Sequence, residues 1–85
     1  MFKILLGAVN PSSGKELAST QYSDHASLIA KAMAGLYGYR VNVFQEERPG
    51  VEARLVEYWD YLPAPASFTQ LTRVPLDPRT GQRYA

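Results

Sequence analysis

Cysteine is absent from this 85-residue chain, and histidine and tryptophan occur once each. Without thiols there are no disulfides and no thiolate metal sites, which points weakly to a reducing compartment. His25 alone cannot assemble a zinc set, and the acidic residues lack calcium-loop spacing, so no metal or cofactor is expected. No apolar run approaches the ~20 residues that a membrane span needs, and the opening MFKILLGAV lacks the length and cleavage site of a signal peptide. The expectation is therefore a cytoplasmic protein with no membrane partner.

Neither sign of charge dominates. The formal net charge is +1, made up of +2 over residues 1–43, −3 over residues 44–62 and +2 over residues 63–85. No block is dense enough to release the several counterions that phosphate binding uses, nor acidic enough to mimic a nucleic acid. Hydrophobic residues make up 46% of the chain and charged residues 20%, a globular rather than a disordered composition. The length gives a single domain, residues 1–85, which buries only about 60% of its unfolded surface.

Phe2 to Val9 is a short apolar run rich in branched residues, read as a buried strand, and NPSSGK after it is a cluster of turn formers. ELASTQ offers a weak edge strand. From Asp24 to Tyr37 the period changes. Ala26, Ile29, Ala30, Met33, Leu36 and Tyr37 recur at intervals of three and four, with Asp24, Ser27 and Lys31 on the other side and Gly38 as the stop, which predicts a helix with a slim, alanine-lined face. Tyr39 to Glu46 alternates, with Tyr39, Val41 and Val43 on one side and Arg40, Asn42, Phe44 and Glu46 on the other. Residues 51–61 carry both a helical stripe and a β-rich composition, and a strand is preferred because no side-chain cap precedes them. LPAPA is a rigid connector, SFTQLTRV forms a helical turn or a short strand, and DPRTG supplies the turn of a terminal hairpin over residues 74–84.

Chemistry has few footholds. Ser23, Asp24 and His25 are neighbours, and successive helical residues point about 100° apart, so they cannot converge as a triad. Ser23 or Asp24 reads instead as the cap of the helix. GAVNPSSGKE resembles a phosphate loop only in its second half, because Val9 stands where the first glycine belongs and Glu16 where the metal-binding hydroxyl belongs. Glu46 and Glu47 face opposite ways at a strand end. No catalytic residue is assigned.

One helix covers one face of a small sheet, so Phe44, on the opposite side from Val41 and Val43, needs another neighbour. A three-residue loop at Arg48 to Gly50 pairs Val43 with Leu55 and Tyr39 with Trp59 and buries the indole. A loop of even length brings Leu55 and Trp59 round beside Phe44 and Arg40. Phe44 with Tyr58 or Trp59, oriented by Arg40 and Arg54, then forms a partner-binding patch of aromatics and arginine. On that reading Phe44→Ala weakens partner binding with little change in melting temperature. The alternative is that residues 62–71 and the terminal hairpin fold over this face as a second core.

The order of short strand, weak strand, alanine-rich helix, glycine stop and acidic hairpin, over roughly residues 1–62, resembles the small accessory proteins of bacteriophages, including some anti-CRISPR proteins. That resemblance implies a stoichiometric inhibitor that binds a host protein complex in the bacterial cytoplasm and does no chemistry, and it carries over no functional residue. The expectation is thus an α+β domain, one α-helix packed on a small antiparallel or mixed β-sheet with a C-terminal β-hairpin in residues 63–85. Its function is protein binding by steric occlusion, with a homodimer as one form of that contact. A nucleic-acid-binding accessory protein is the alternative, using Arg73, Arg79, Arg83, Lys3, Lys15 and Lys31.

Overall fold

The computed structural model describes residues 1–7, 15–48, 50–63, 69–77 and 79–83. Five strands, β1 (Phe2–Leu6), β2 (Lys15–Thr20), β3 (Val41–Gln45), β4 (Arg54–Pro63) and β5 (Thr69–Pro75), and one helix, α1 (Ser23–Tyr37), follow one another as β1–β2–α1–β3–β4–β5. The sheet order is β2–β1–β3–β4–β5, and every neighbouring pair is antiparallel. β2 and β3 therefore run parallel on either side of β1, and α1 is the crossover between them. A crossover of that kind must lie across one face of the sheet, which fixes where the helix packs. The α+β expectation holds, with a wholly antiparallel sheet.

Ala26, Ala30 and Ala34 are the buried stripe of α1, and they close on Ile4, Val41 and Val43, with Ile29, Met33, Val56 and Trp59 packed around them. Alanine at every fourth position brings the helix close to the sheet. The last turn departs from the periodic pattern. Leu36 is 75% exposed and Tyr37 is also exposed, so the buried stripe ends one turn before the helix does. Gly38 ends α1 in the left-handed conformation, at φ 65°, and its N–H donates to the Ala34 carbonyl at 2.9 Å, which is the conformation that favours glycine at this point.

The expected side-chain cap at Ser23 or Asp24 is not formed. The cap position is Tyr22, in extended conformation and without a side-chain hydrogen bond, and the Ala26 N–H donates to the Tyr22 carbonyl at 3.0 Å. The helix begins one residue earlier than a Ser23 cap allows, so Asp24 sits inside the first turn, where its charge favours the positive helix end.

The expected pairs of Val43 with Leu55 and Tyr39 with Trp59 are not formed, and each expected register matches only part of the side-chain parity: Trp59 lies on the helix side and Leu55 beside Phe44. Phe44 pairs with Leu55, Val43 with Glu57 and Val41 with Trp59, with an irregularity between Val43 and Phe44. Val56 is the extra residue of a β-bulge, so side-chain parity changes partway along β4. Leu55 lies beside Phe44 and Leu5 behind the sheet, whereas Val56 and Trp59 pack under the helix.

The face away from the helix is closed. Leu5 and Phe44 form one small core with Ala53 and Leu55, and Tyr58, Val74 and Leu76 form another with Leu55 and Leu62. The predicted terminal turn contributes. The Gly81 N–H donates to the Asp77 carbonyl at 2.7 Å, Leu76 bridges to Arg83, and Arg83 Nη2 donates to the Tyr58 hydroxyl at 2.9 Å. The segment 67–74, open between a helical turn and a strand, is the edge strand β5 from Thr69 onward. Most of GAVNPSSGK and of LPAPA, and Tyr84, lie outside the described residues.

Candidate partner-binding surface

The five residues expected to form one patch are divided between the two faces. Phe44 is 1% exposed and is core, packed with Leu5, Ala53 and Leu55, the last brought to its side by the bulge. Tyr58 is 8% exposed. Its ring lies under the Arg40 guanidinium, 3.7 Å from the ring centroid, and Arg40 Nε donates to Asn42 Oδ1 at 2.8 Å. Trp59 is on the helix side, with Lys31 Nζ 5.7 Å from its ring centroid. Arg54 is exposed at the start of β4, opposite Gln45. The patch centred on Phe44 is therefore not a surface.

Beneath the helix is a polar cluster that the sequence reading did not single out. Glu57 is buried. Its Oε1 accepts from Ser27 Oγ at 2.8 Å and from Arg73 Nε and Nη2 at 3.2 and 3.0 Å, and its Oε2 accepts from Ser27 Oγ at 2.8 Å and Trp59 Nε1 at 2.9 Å. A buried carboxylate needs such donors, and these four groups are structural partners on α1, β4 and β5. Beside them Phe2, Ser23, Val43 and Pro75 line an open cavity of about 380 Å³.

Ser23, Asp24 and His25 are exposed on the first turn, and the His25 ring stands edge-on to Tyr22 with centroids 5.1 Å apart. Among the described residues no three metal-ligating side chains come together. No described helix is long and apolar enough to cross a membrane. Of the arginines considered for nucleic acid, Arg73 and Arg83 are turned to Glu57 and Tyr58, and Arg79 pairs with Asp77 at 3.7 Å.

Among the described residues, four of the seven exposed large hydrophobic side chains lie at or just beyond the C-terminal end of α1, while Met1, Tyr22 and Leu28 are exposed elsewhere. Leu36 and Tyr37 occupy the last turn, Tyr39 is 61% exposed and Tyr61 is 37% exposed. The register that sets Val41 opposite Trp59 brings Tyr39 and Tyr61 to neighbouring positions two residues further on. Gly7, Gly38, Tyr39, Arg40, Asp60 and Tyr61 line a cleft of about 330 Å³ there. Two hydrogen bonds to backbone carbonyls anchor the cleft. The Gly7 N–H donates to the Arg40 carbonyl at 2.8 Å, and the Tyr61 hydroxyl reaches the Ala34 carbonyl at 3.5 Å. Tyr39, expected on the side of Val41 and Val43, lies just past the Gly38 stop and is not covered by the helix. No family model matches the chain, and no curated protein or solved structure resembles it closely enough to count as a match.

Proposed function

We propose that this chain is a small non-enzymatic protein-binding module whose contact surface is the tyrosine cluster at the end of α1. Its specific form is an inhibitor of the phage accessory type that blocks a host enzyme or defence complex by occupying its surface. The observation that carries the reading is the exposure of Leu36, Tyr37, Tyr39 and Tyr61 at the C-terminal end of α1, while each face of the sheet holds a buried apolar cluster. Tyrosine supplies large contact area at low cost in side-chain entropy, and tyrosine and arginine dominate binding hot spots. The strand ends and the helix cap that hold these rings are fixed by hydrogen bonds, so little order is lost on docking.

The test is capture from native host extract by the tagged chain and by its Tyr39→Ala/Tyr61→Ala double variant. Loss of two hot-spot rings weakens a specific complex by roughly thirtyfold or more. A protein held by the parent chain and released by the folded double variant supports the reading. Equal capture by both chains counts against it.

A further inference from the structure

We propose that Arg40, Tyr58 and Arg83, on the face of the sheet away from the helix, form a site for one phosphate group. The inference goes beyond the protein-binding reading and does not depend on the tyrosine surface.

Two guanidiniums converge on one phenol. The Arg40 guanidinium lies 3.7 Å from the Tyr58 ring centroid, and Arg83 Nη2 donates to the Tyr58 hydroxyl at 2.9 Å. The fold brings the three together from distant parts of the chain. Arg40 immediately precedes β3, two residues before Asn42, the cross-strand partner of Tyr58, and Arg83 returns on the terminal turn through its bridge to Leu76. Among the described residues neither arginine has an acidic side chain within ion-pair distance. Like charges held against one ring repel, and an anion bound to both removes that cost.

The site is also a set of donors. Arg40 uses Nε on Asn42 Oδ1, and no acceptor among the described residues takes the hydrogens of its Nη1 and Nη2. Tyr58 is 8% exposed. Its hydroxyl oxygen accepts from Arg83, and no acceptor among the described residues takes the hydroxyl proton. Phosphate answers such a set better than carboxylate, because it brings about two negative charges and three strong acceptor oxygens where a carboxylate brings one charge and two oxygens.

Asp60, two residues beyond Tyr58 on β4, shares this face and opposes an anion. Two arginines against one aspartate still leave a net positive charge, and Asp60 Oδ1 accepts from the Tyr61 N–H at 2.8 Å rather than pairing with either guanidinium. The site suits a single phosphate and not a nucleic-acid backbone, since Arg73 and Arg79, which would extend it, pair with Glu57 and Asp77.

The experiment titrates the isotope-labelled full chain at low salt with inorganic phosphate and with Nα-acetyl-O-phosphoserine amide, following backbone amide and arginine side-chain N–H resonances. Nα-acetyl-glutamate amide and sodium chloride at matched ionic strength are the controls. The expected result is saturable shifts at Arg40, Tyr58 and Arg83 with both phosphate probes, and binding of glutamate amide weaker by roughly fivefold or more. Arg40→Gln and Tyr58→Phe are each expected to weaken phosphate roughly fivefold, and Asp60→Asn to tighten it roughly twofold. Arg83 also ties the terminal turn to the sheet, so Tyr58→Phe, which keeps the ring under Arg40, serves in place of an Arg83 variant. Shifts no larger than chloride gives, equal binding of glutamate amide, or full affinity in both Arg40→Gln and Tyr58→Phe would overturn the proposal. Tighter binding of phosphoserine amide than of inorganic phosphate assigns the group to a phosphorylated partner chain, the reverse order assigns it to a free anion, and either supports the site.

Discussion

Ser27, on the helix, donates its hydroxyl to both carboxylate oxygens of Glu57, on β4, at 2.8 Å, across an interface whose core is alanine, aliphatic and aromatic side chains. Because Trp59 and Arg73 bond the same carboxylate, one acidic group joins the helix to β4 and the edge strand β5. Hydrophobic contacts tolerate sliding, whereas these bonds fix where along the sheet the helix sits.

Glu57→Ala is expected to lower stability by about 2–3 kcal/mol, since it removes the acceptor for the Ser27 hydroxyl and the Trp59 indole N–H while leaving the half-exposed Arg73 free to hydrate. Ser27→Ala deletes a single donor and is expected to cost about 1 kcal/mol. Urea unfolding of the two variants and the double variant checks this. A double-variant loss equal to the sum of the single losses would show that the two groups do not interact.

Phe44→Ala is expected to cost about 3–5 kcal/mol, the usual range for emptying a buried phenylalanine site. In an 85-residue chain that is a large share of a total stability of about 4–13 kcal/mol. Thermal unfolding measures it. Little change in melting temperature would restore the ring to the surface, against the packing with Leu5, Ala53 and Leu55.

Gly7→Ala tests how the Tyr39 ring is held. Gly7 has φ 66°, and an added Cβ would stand 2.6 Å from Tyr39 Cε1. Adopting that backbone conformation costs an alanine about 1 kcal/mol, and the ring must also swing away. In the Tyr39→Ala background the backbone part of the cost is expected to remain and the contact part to vanish. Identical losses in the two backgrounds, by denaturant unfolding, would mean that the ring does not rest on Gly7.

The helix and its glycine stop are legible in the sequence because period and cap are local properties. The edge strand β2 is legible too, from small polar residues with little to bury. The fate of Phe44 is not, because it depends on the bulge at Val56, which flips side-chain parity within one strand and brings Leu55 beside Phe44 and Leu5. The same bulge puts Trp59 and Phe44 on opposite faces, so no single register could predict the contact surface. Nor does the outward turn of Leu36 follow from its spacing, since period describes the helix and not how far the sheet beneath it extends.

Site-specific photocross-linking reads directly whether a partner sits at the tyrosine end of the molecule. Benzoylphenylalanine at position 39, in place of Tyr39, is expected to give a discrete cross-linked product in native host extract. The same group in place of Gln70, exposed on the edge strand β5 and outside the cleft, is expected to give none. A product from position 70 with none from position 39 would contradict the assignment of the surface.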